Sequence, residues 1–201
     1  MKSFLALIAL LLLATNLVHA DEAAHTSGVA IADLPLGIAV KQVRGNGKRL
    51  LVLFEDPNCI YCRQLERDVA GLTDVTIYTF LYPILSADST KKAKTVWCAA
   101  DREMAWSQWM LKGIAPAPAR CDAGAIEQVL ALGRKLGVRA TPTIFLANGE
   151  RMSGAVPGMT LEMAISSPKV LSFQLANEKK SLQGAEPPAT ILHLPAATSR
   201  P

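Results

Sequence analysis

The sequence predicts an α/β domain in which a central mixed sheet is flanked by helices and interrupted by a helical insertion. Three observations carry this expectation. An apolar run over Leu50–Phe54 is followed by a helical pattern and then by a β-rich run over Val75–Phe80; strand, helix, strand at this length is a parallel crossover unit. A third strand-like run, Thr143–Ala147, leads into Asn148-Gly149, a strong hairpin turn that adds an antiparallel partner near residues 150–152. Between these parts, residues 88–137 lack strand signals and contain helix formers in three blocks.

At 201 residues, half of them hydrophobic, the chain can bury one good core, and one domain is the default. Net charge is +4, and the basic residues are scattered without an aromatic-interleaved patch, which argues against a nucleic-acid partner. Residues 1–20 read as a secretory signal: Lys2, an apolar run from Phe4 to Leu13, then Val18-His19-Ala20 before Asp21-Glu22. An uncleaved membrane anchor is the alternative, but the apolar run falls short of the ~20 residues a bilayer span needs. No cysteine follows the run to carry a lipid. The expectation is export to the periplasm with cleavage near Ala20, followed by a flexible leader over 21–33.

The domain is expected over residues 34–178. From Leu34 to Val43 apolar residues recur without a sharp period, and Gly45-Asn46-Gly47 supplies a turn before the Leu50–Phe54 strand. Pro57 then blocks extension of that strand, and Asn58 is a good N-cap for a helix from about Cys59 to Ala70, with Cys62, Leu65 and Val69 on one face. In the insertion the helical blocks are Ser89 to about Met104, Ala105 to Lys112 and Asp122 to Leu136, with the Ala115-Pro116-Ala117-Pro118 link before the third and Gly137 closing it. A last helix begins near Leu161, and Ser167-Pro168 leaves its path open. Residues 179–201, with Pro187-Pro188, read as a disordered tail.

Four cysteines carry the chemistry. Disulfides persist in an exported protein, so Cys59, Cys62, Cys98 and Cys121 can form two bridges. Cys59 stands at the strand-to-helix junction, where unpaired amides and the helix dipole stabilise a thiolate, and Cys62 lies one turn further in. That placement makes Cys59 the nucleophile and Cys62 the resolving thiol. A thiol of pKa about 8.5 is only about 3% ionised at pH 7, and lowering its pKa costs intrinsic nucleophilicity, so attack gains little; expulsion of the stabilised thiolate from a mixed disulfide gains more. No cofactor is needed beyond a redox-active Cys59–Cys62 disulfide. The competing readings are half of a zinc site, which usually wants a second closely spaced pair, and a purely structural bridge.

Cys98 and Cys121 flank the middle of the insertion, and a bridge between them is worth about 3.5 kcal/mol by loop-closure entropy. Structural stapling is the favoured role; a second redox pair is the rival. His19, His25 and His193 all lie outside the expected domain, so a histidine-dependent triad or zinc site lacks its usual parts. Asp56, if close to Cys59, would raise its pKa, but a solvated loop carboxylate is the simpler expectation. Pro142, taken alone, simply starts a strand.

Taken together, Phe54 to Cys62 (FEDPNCIYC), Trp97-Cys98-Ala99 with Asp101, Cys121-Asp122, Leu136-Gly137-Val138 before Thr141-Pro142, and Asn148-Gly149 resemble the catalytic domain of the DsbC and DsbG family of periplasmic disulfide isomerases. Order and spacing agree over roughly residues 34–175. The resemblance implies a thioredoxin-like fold, redox-active Cys59 and Cys62, a cis Pro142 whose neighbour Thr141 pairs with extended substrate, and a structural Cys98–Cys121 bridge. It also implies partners: secreted or periplasmic proteins with disulfides, and a DsbD-type membrane thiol reductase. In the family a dimerisation domain precedes the catalytic one, whereas residues 21–49 are too few to hold it, so the oligomeric state stays open. Ile60 stands where the family often has a small residue. The expected function is a thiol-disulfide oxidoreductase acting as isomerase or reductase; a monomeric oxidase and a non-catalytic chaperone or binding module are the alternatives.

Overall fold

The computed structural model describes residues 29–184 apart from Ala119. The expected signal, residues 21–28 of the leader and the tail beyond Gly184 lie outside the described residues. Five strands, β1 (Val40–Arg44), β2 (Arg49–Glu55), β3 (Val75–Leu81), β4 (Thr143–Leu146) and β5 (Arg151–Ser153), form one sheet in the order β1-β3-β2-β4-β5. β2 and β3 are parallel and every other pairing is antiparallel. Helix α1 (Ile60–Val69) makes the crossover between β2 and β3. The insertion holds α2 (Ala87–Trp97), α3 (Arg102–Lys112) and α4 (Gly124–Lys135), and α5 (Gly158–Ile165) and α6 (Pro168–Gly184) close the domain.

β2 reads as a continuous apolar run because both of its faces are covered. Leu51 and Leu53 point into a core with Leu65 and Val69 of α1, Ile144, Leu161 and Ile165. Val52 and Phe54 point the other way, toward Phe80, Tyr82, Val129 and Phe145. Phe54 stacks on Phe80 at 4.8 Å between centroids and meets Tyr82 and Phe145 edge-on. A third cluster joins Cys59 and Cys62 to Val96, Trp97, Trp106 and Met110. The insertion therefore packs directly on the cysteine-bearing helix.

Four boundaries depart from the sequence expectation. β1 had no clear period because its buried positions are Val40 and Gln42 while Val43 is half exposed, so a glutamine takes the inward place of an apolar residue. The leader is not unstructured to residue 33: Ile31 and Leu34 are buried in the Phe54 core, and the Val29 amide donates to the Gly149 carbonyl. The first insertion block breaks at residues 98–101 rather than near 104, because the Asp101 carboxylate caps α3 by accepting the Met104 amide at 2.8 Å. The last helical stretch is two helices parted at Ser166-Ser167, and α6 continues to Gly184, past the expected start of the tail.

Gly133 of α4 lies under the Tyr82 ring, and a β-carbon there would sit 2.3 Å from Cε2. Tyr82 cannot easily yield, being buried with its hydroxyl donating to the Val138 carbonyl. Alanine gains about 1 kcal/mol in helix propensity, but forcing a buried ring aside costs about 1–3 kcal/mol. Gly133→Ala is expected to be a net loss, visible as a lower urea midpoint with an unchanged m-value.

Candidate active site

The end of β2 and the start of α1 bring the cysteines together. Cys59 itself is the N-cap of α1, and its sulfur accepts the Cys62 amide at 3.3 Å. Asn58, the expected cap, is used elsewhere: its amide donates to Asp88 and to Ser86, and its carbonyl oxygen accepts from the Lys92 ammonium. Cys59 and Cys62 are both free thiols in this structure. The Thr141–Pro142 peptide is cis, and the Cys59 sulfur lies 3.4 Å from the Thr141 carbonyl. The loop before the β4–β5 hairpin thus lies against the reactive end of α1.

The two sulfurs have opposite environments. A hydrogen bond from the Cys62 thiol, assisted by Thr141 and by amides of α1 and set against the cost of burial, lowers the Cys59 pKa to about 6. Burial, followed by the thiol's own hydrogen bond to Cys59 and the charge of Glu55, pushes the Cys62 thiol far up. Two thiols three positions apart in the chain are therefore held as one thiolate and one thiol at neutral pH.

Around Cys59 the surface is apolar. Ile60, Tyr61 and Leu85 are exposed, and with Ile84 and the Arg139–Thr141 segment they line a shallow groove that ends at the Cys59 sulfur. Asp56 does not conform to the expectation of a solvated carboxylate: it is fully buried and accepts the Asn58 and Leu85 amides at 2.8 and 2.9 Å. It shapes the loop. Cys98 and Cys121 are bonded to each other, 5.5 Å apart at Cα, so the four cysteines form two separate pairs rather than one cluster.

A thioredoxin-like domain family matches residues 36–167. The chain belongs to the thioredoxin-like family. It is 54% identical over 136 residues to a Bordetella parapertussis protein named "Probable thiol:disulfide interchange protein DsbC", covering 68% of this chain and 48% of that protein. It is 34% identical over 114 residues to the thiol:disulfide interchange protein DsbC of Escherichia coli K12, covering 55% of this chain and 48% of that one. The crystal structure of a disulfide interchange protein from Neisseria gonorrhoeae superposes with a TM-score of 0.59 at 36% identity, covering 72% of this chain and 99% of that one. The chain spans about half the length of the DsbC relatives it matches. The DsbC-like resemblance read from the sequence motifs and the thioredoxin-like α/β fold both hold.

In this thioredoxin-like domain the insertion also reaches the cysteine loop through Trp109, which sequence reading did not single out. Its indole donates to the Pro57 carbonyl at 2.6 Å, while Arg63 and Lys92 each lie over its ring, at 4.7 and 4.5 Å. Such contacts add about 0.5–2 kcal/mol each. Glu55 and Glu66 were missed as well. Both are buried, and a legible signal existed for each: Glu55 extends the inward alternation of Leu51 and Leu53, and Glu66 lies one turn after Cys62 on the face of Leu65 and Val69.

Proposed function

We propose that this protein is a periplasmic thiol-disulfide oxidoreductase that works as a disulfide isomerase or reductase. The Cys59 thiolate attacks a substrate disulfide, one substrate sulfur leaves as a thiolate, and a mixed disulfide joins Cys59 to the substrate. Cys62 then attacks the Cys59 sulfur, forming the Cys59–Cys62 disulfide and releasing the second substrate thiol. When the freed substrate thiol instead attacks another bridge within the substrate and releases Cys59, the outcome is isomerisation. The observation that carries this reading is the pairing of a stabilised thiolate at the head of α1 with a buried thiol held for resolution.

Substrates are secreted or periplasmic proteins with disulfides, seated as extended chain along Thr141 and Pro142 beside the apolar lip of Ile60, Tyr61 and Leu85. The Cys98–Cys121 bridge is a structural staple of the insertion. A membrane thiol reductase of the DsbD type returns Cys59 and Cys62 to thiols, and no prosthetic group takes part.

The test compares the wild type with Cys59→Ala and Cys62→Ala in insulin reduction and in recovery of a scrambled disulfide substrate. Wild-type activity in both, none in Cys59→Ala, and a trapped substrate adduct in Cys62→Ala are expected. A wild type no better than Cys59→Ala in either assay would leave the reading without support, and activity only as an oxidant of reduced substrate would reverse its direction.

A further inference from the structure

The groove that ends at the Cys59 sulfur carries an uncompensated positive charge. Ile60, Tyr61, Ile84 and Leu85 give it an apolar surface, and among the described residues that line it Arg139 is the one ionised side chain besides the Cys59 thiolate. Arg139 is exposed, and among the described residues it has no ion-pair partner. Other cations of this region are engaged. Arg63 lies over the Trp109 ring, Arg151 donates to the Leu136 and Gly137 carbonyls, and Lys92 is paired with Asp88 beside Asn58. A free guanidinium in an apolar groove is hydrated while the groove is empty, and its field strengthens when a bound chain displaces that water.

Reach limits what this charge can recognise. Arg139 stands two positions before Thr141, whose carbonyl oxygen is 3.4 Å from the Cys59 sulfur, and two residues of chain span at most about 7 Å. Its guanidinium therefore meets substrate side chains close to the disulfide under attack and not those further along.

We propose that Arg139 is a specificity-determining residue that selects substrate chains with an aspartate or glutamate within two positions of the attacked cysteine, among apolar residues that cover Ile60, Tyr61 and Leu85. The inference rests on the exchange mechanism proposed above and names the substrates it favours. The guanidinium offers a carboxylate a fork of N–H donors, and its aliphatic stem adds apolar contact. A lysine or arginine at the same substrate position meets a like charge in a partly dehydrated groove, so Arg139 also rejects basic neighbours. No bond is made or broken at Arg139. The Cys59 thiolate is held by the Cys62 thiol, Thr141 and amides of α1, with Arg139 outside that set.

The experiment uses the fully reduced protein and short synthetic peptides whose one cysteine is joined by a disulfide to thionitrobenzoate. The peptides differ only in a glutamate, glutamine or lysine two positions from the cysteine, placed before it in one set and after it in another. Attack by Cys59 on the peptide sulfur forms the Cys59–peptide disulfide, breaks the peptide–thionitrobenzoate bond and releases thionitrobenzoate with the electron pair. Each protein's rates are taken relative to its own glutamine peptide, so a general loss of activity cancels. In the set that brings the charge to Arg139, the wild type is expected to favour glutamate over glutamine by about two- to fivefold at low salt and to disfavour lysine by a similar factor. Both preferences should fade toward 1 M salt, where the Debye length falls to about 3 Å. Arg139→Gln should level the three rates, and Arg139→Glu should invert their order.

A wild type indifferent to the charge in both sets overturns the inference, and so does a preference that survives in Arg139→Gln. If the pH midpoint of Cys59 alkylation moves in Arg139→Gln while the order of the peptides does not, Arg139 acts on the thiolate rather than on the substrate, and the inference falls. A wild type that releases no thionitrobenzoate from any peptide overturns the exchange mechanism itself, and this inference only with it.

Discussion

Replacing Cys98 and Cys121 together by alanine is expected to cost about 3.5 kcal/mol of unfolding free energy, the largest stability effect this fold offers short of opening its core. The two residues are 23 positions apart and bonded across the insertion, from the end of α2 to the segment before α4. Cys121 is exposed and Cys98 only half-buried, so removing the sulfurs leaves little cavity. The loss comes from the unfolded chain, which regains the freedom of a loop that contains all of α3. At about 2–4 °C per kcal/mol for a domain of this size, the melting temperature should fall by roughly 7–14 °C under non-reducing conditions. A loss under about 1 kcal/mol would mean that the unfolded insertion stays compact without its bridge.

Alkylation of Cys59 by iodoacetamide is expected to titrate with a midpoint near pH 6, about 2.5 units below an ordinary thiol. At pH 7 that makes Cys59 about 90% thiolate where a free cysteine is about 3%, a roughly 30-fold gain in population. Intrinsic nucleophilicity falls by roughly 10- to 20-fold over the same shift. The two nearly cancel, so the rate at pH 7 is a poor witness and the position of the midpoint is the sensitive one. Only one equivalent should react in the folded protein, because Cys62 is buried and held as a thiol. The sign is fixed by which form is favoured: hydrogen bonds to the Cys59 sulfur stabilise the anion, so reactivity persists as pH falls from 8 and disappears only through about 6. A midpoint above pH 8 would mean that the capping contacts do not bind the charge.

Much of this was legible in the chain because local and global preferences agree. The apolar β2 run, the Cys-x-x-Cys at a strand-to-helix junction and the Asn148-Gly149 turn each state one structure, and the fold adopts it. Where the sequence misled, a polar residue had been taken inside. Gln42 broke the alternation that would have announced β1, and Asp56 looked like loop polarity. Such residues carry no hydropathy signal of their burial; their partners come from distant elements, as with Trp106 on Glu66 across 40 positions and Leu85 on Asp56 across 29. Asn58 misled differently. Its preference for capping is real, but Asp88, Ser86 and Lys92 claim its side chain, and the sulfur of Cys59 takes the cap instead.

The three tryptophans of the chain all sit within the cluster that surrounds the cysteine pair. Trp97 and Trp106 are core members with Cys59 and Cys62, and Trp109 packs against them while reaching the Pro57 carbonyl. The molecule thus carries its own optical gauge. Indole emission is quenched by nearby sulfur, so closing or opening the Cys59–Cys62 bond should change the fluorescence of the whole protein without any added label. Mixtures of glutathione and its disulfide could then be titrated directly against emission to read the redox equilibrium, with Trp97→Phe, Trp106→Phe and Trp109→Phe apportioning the signal.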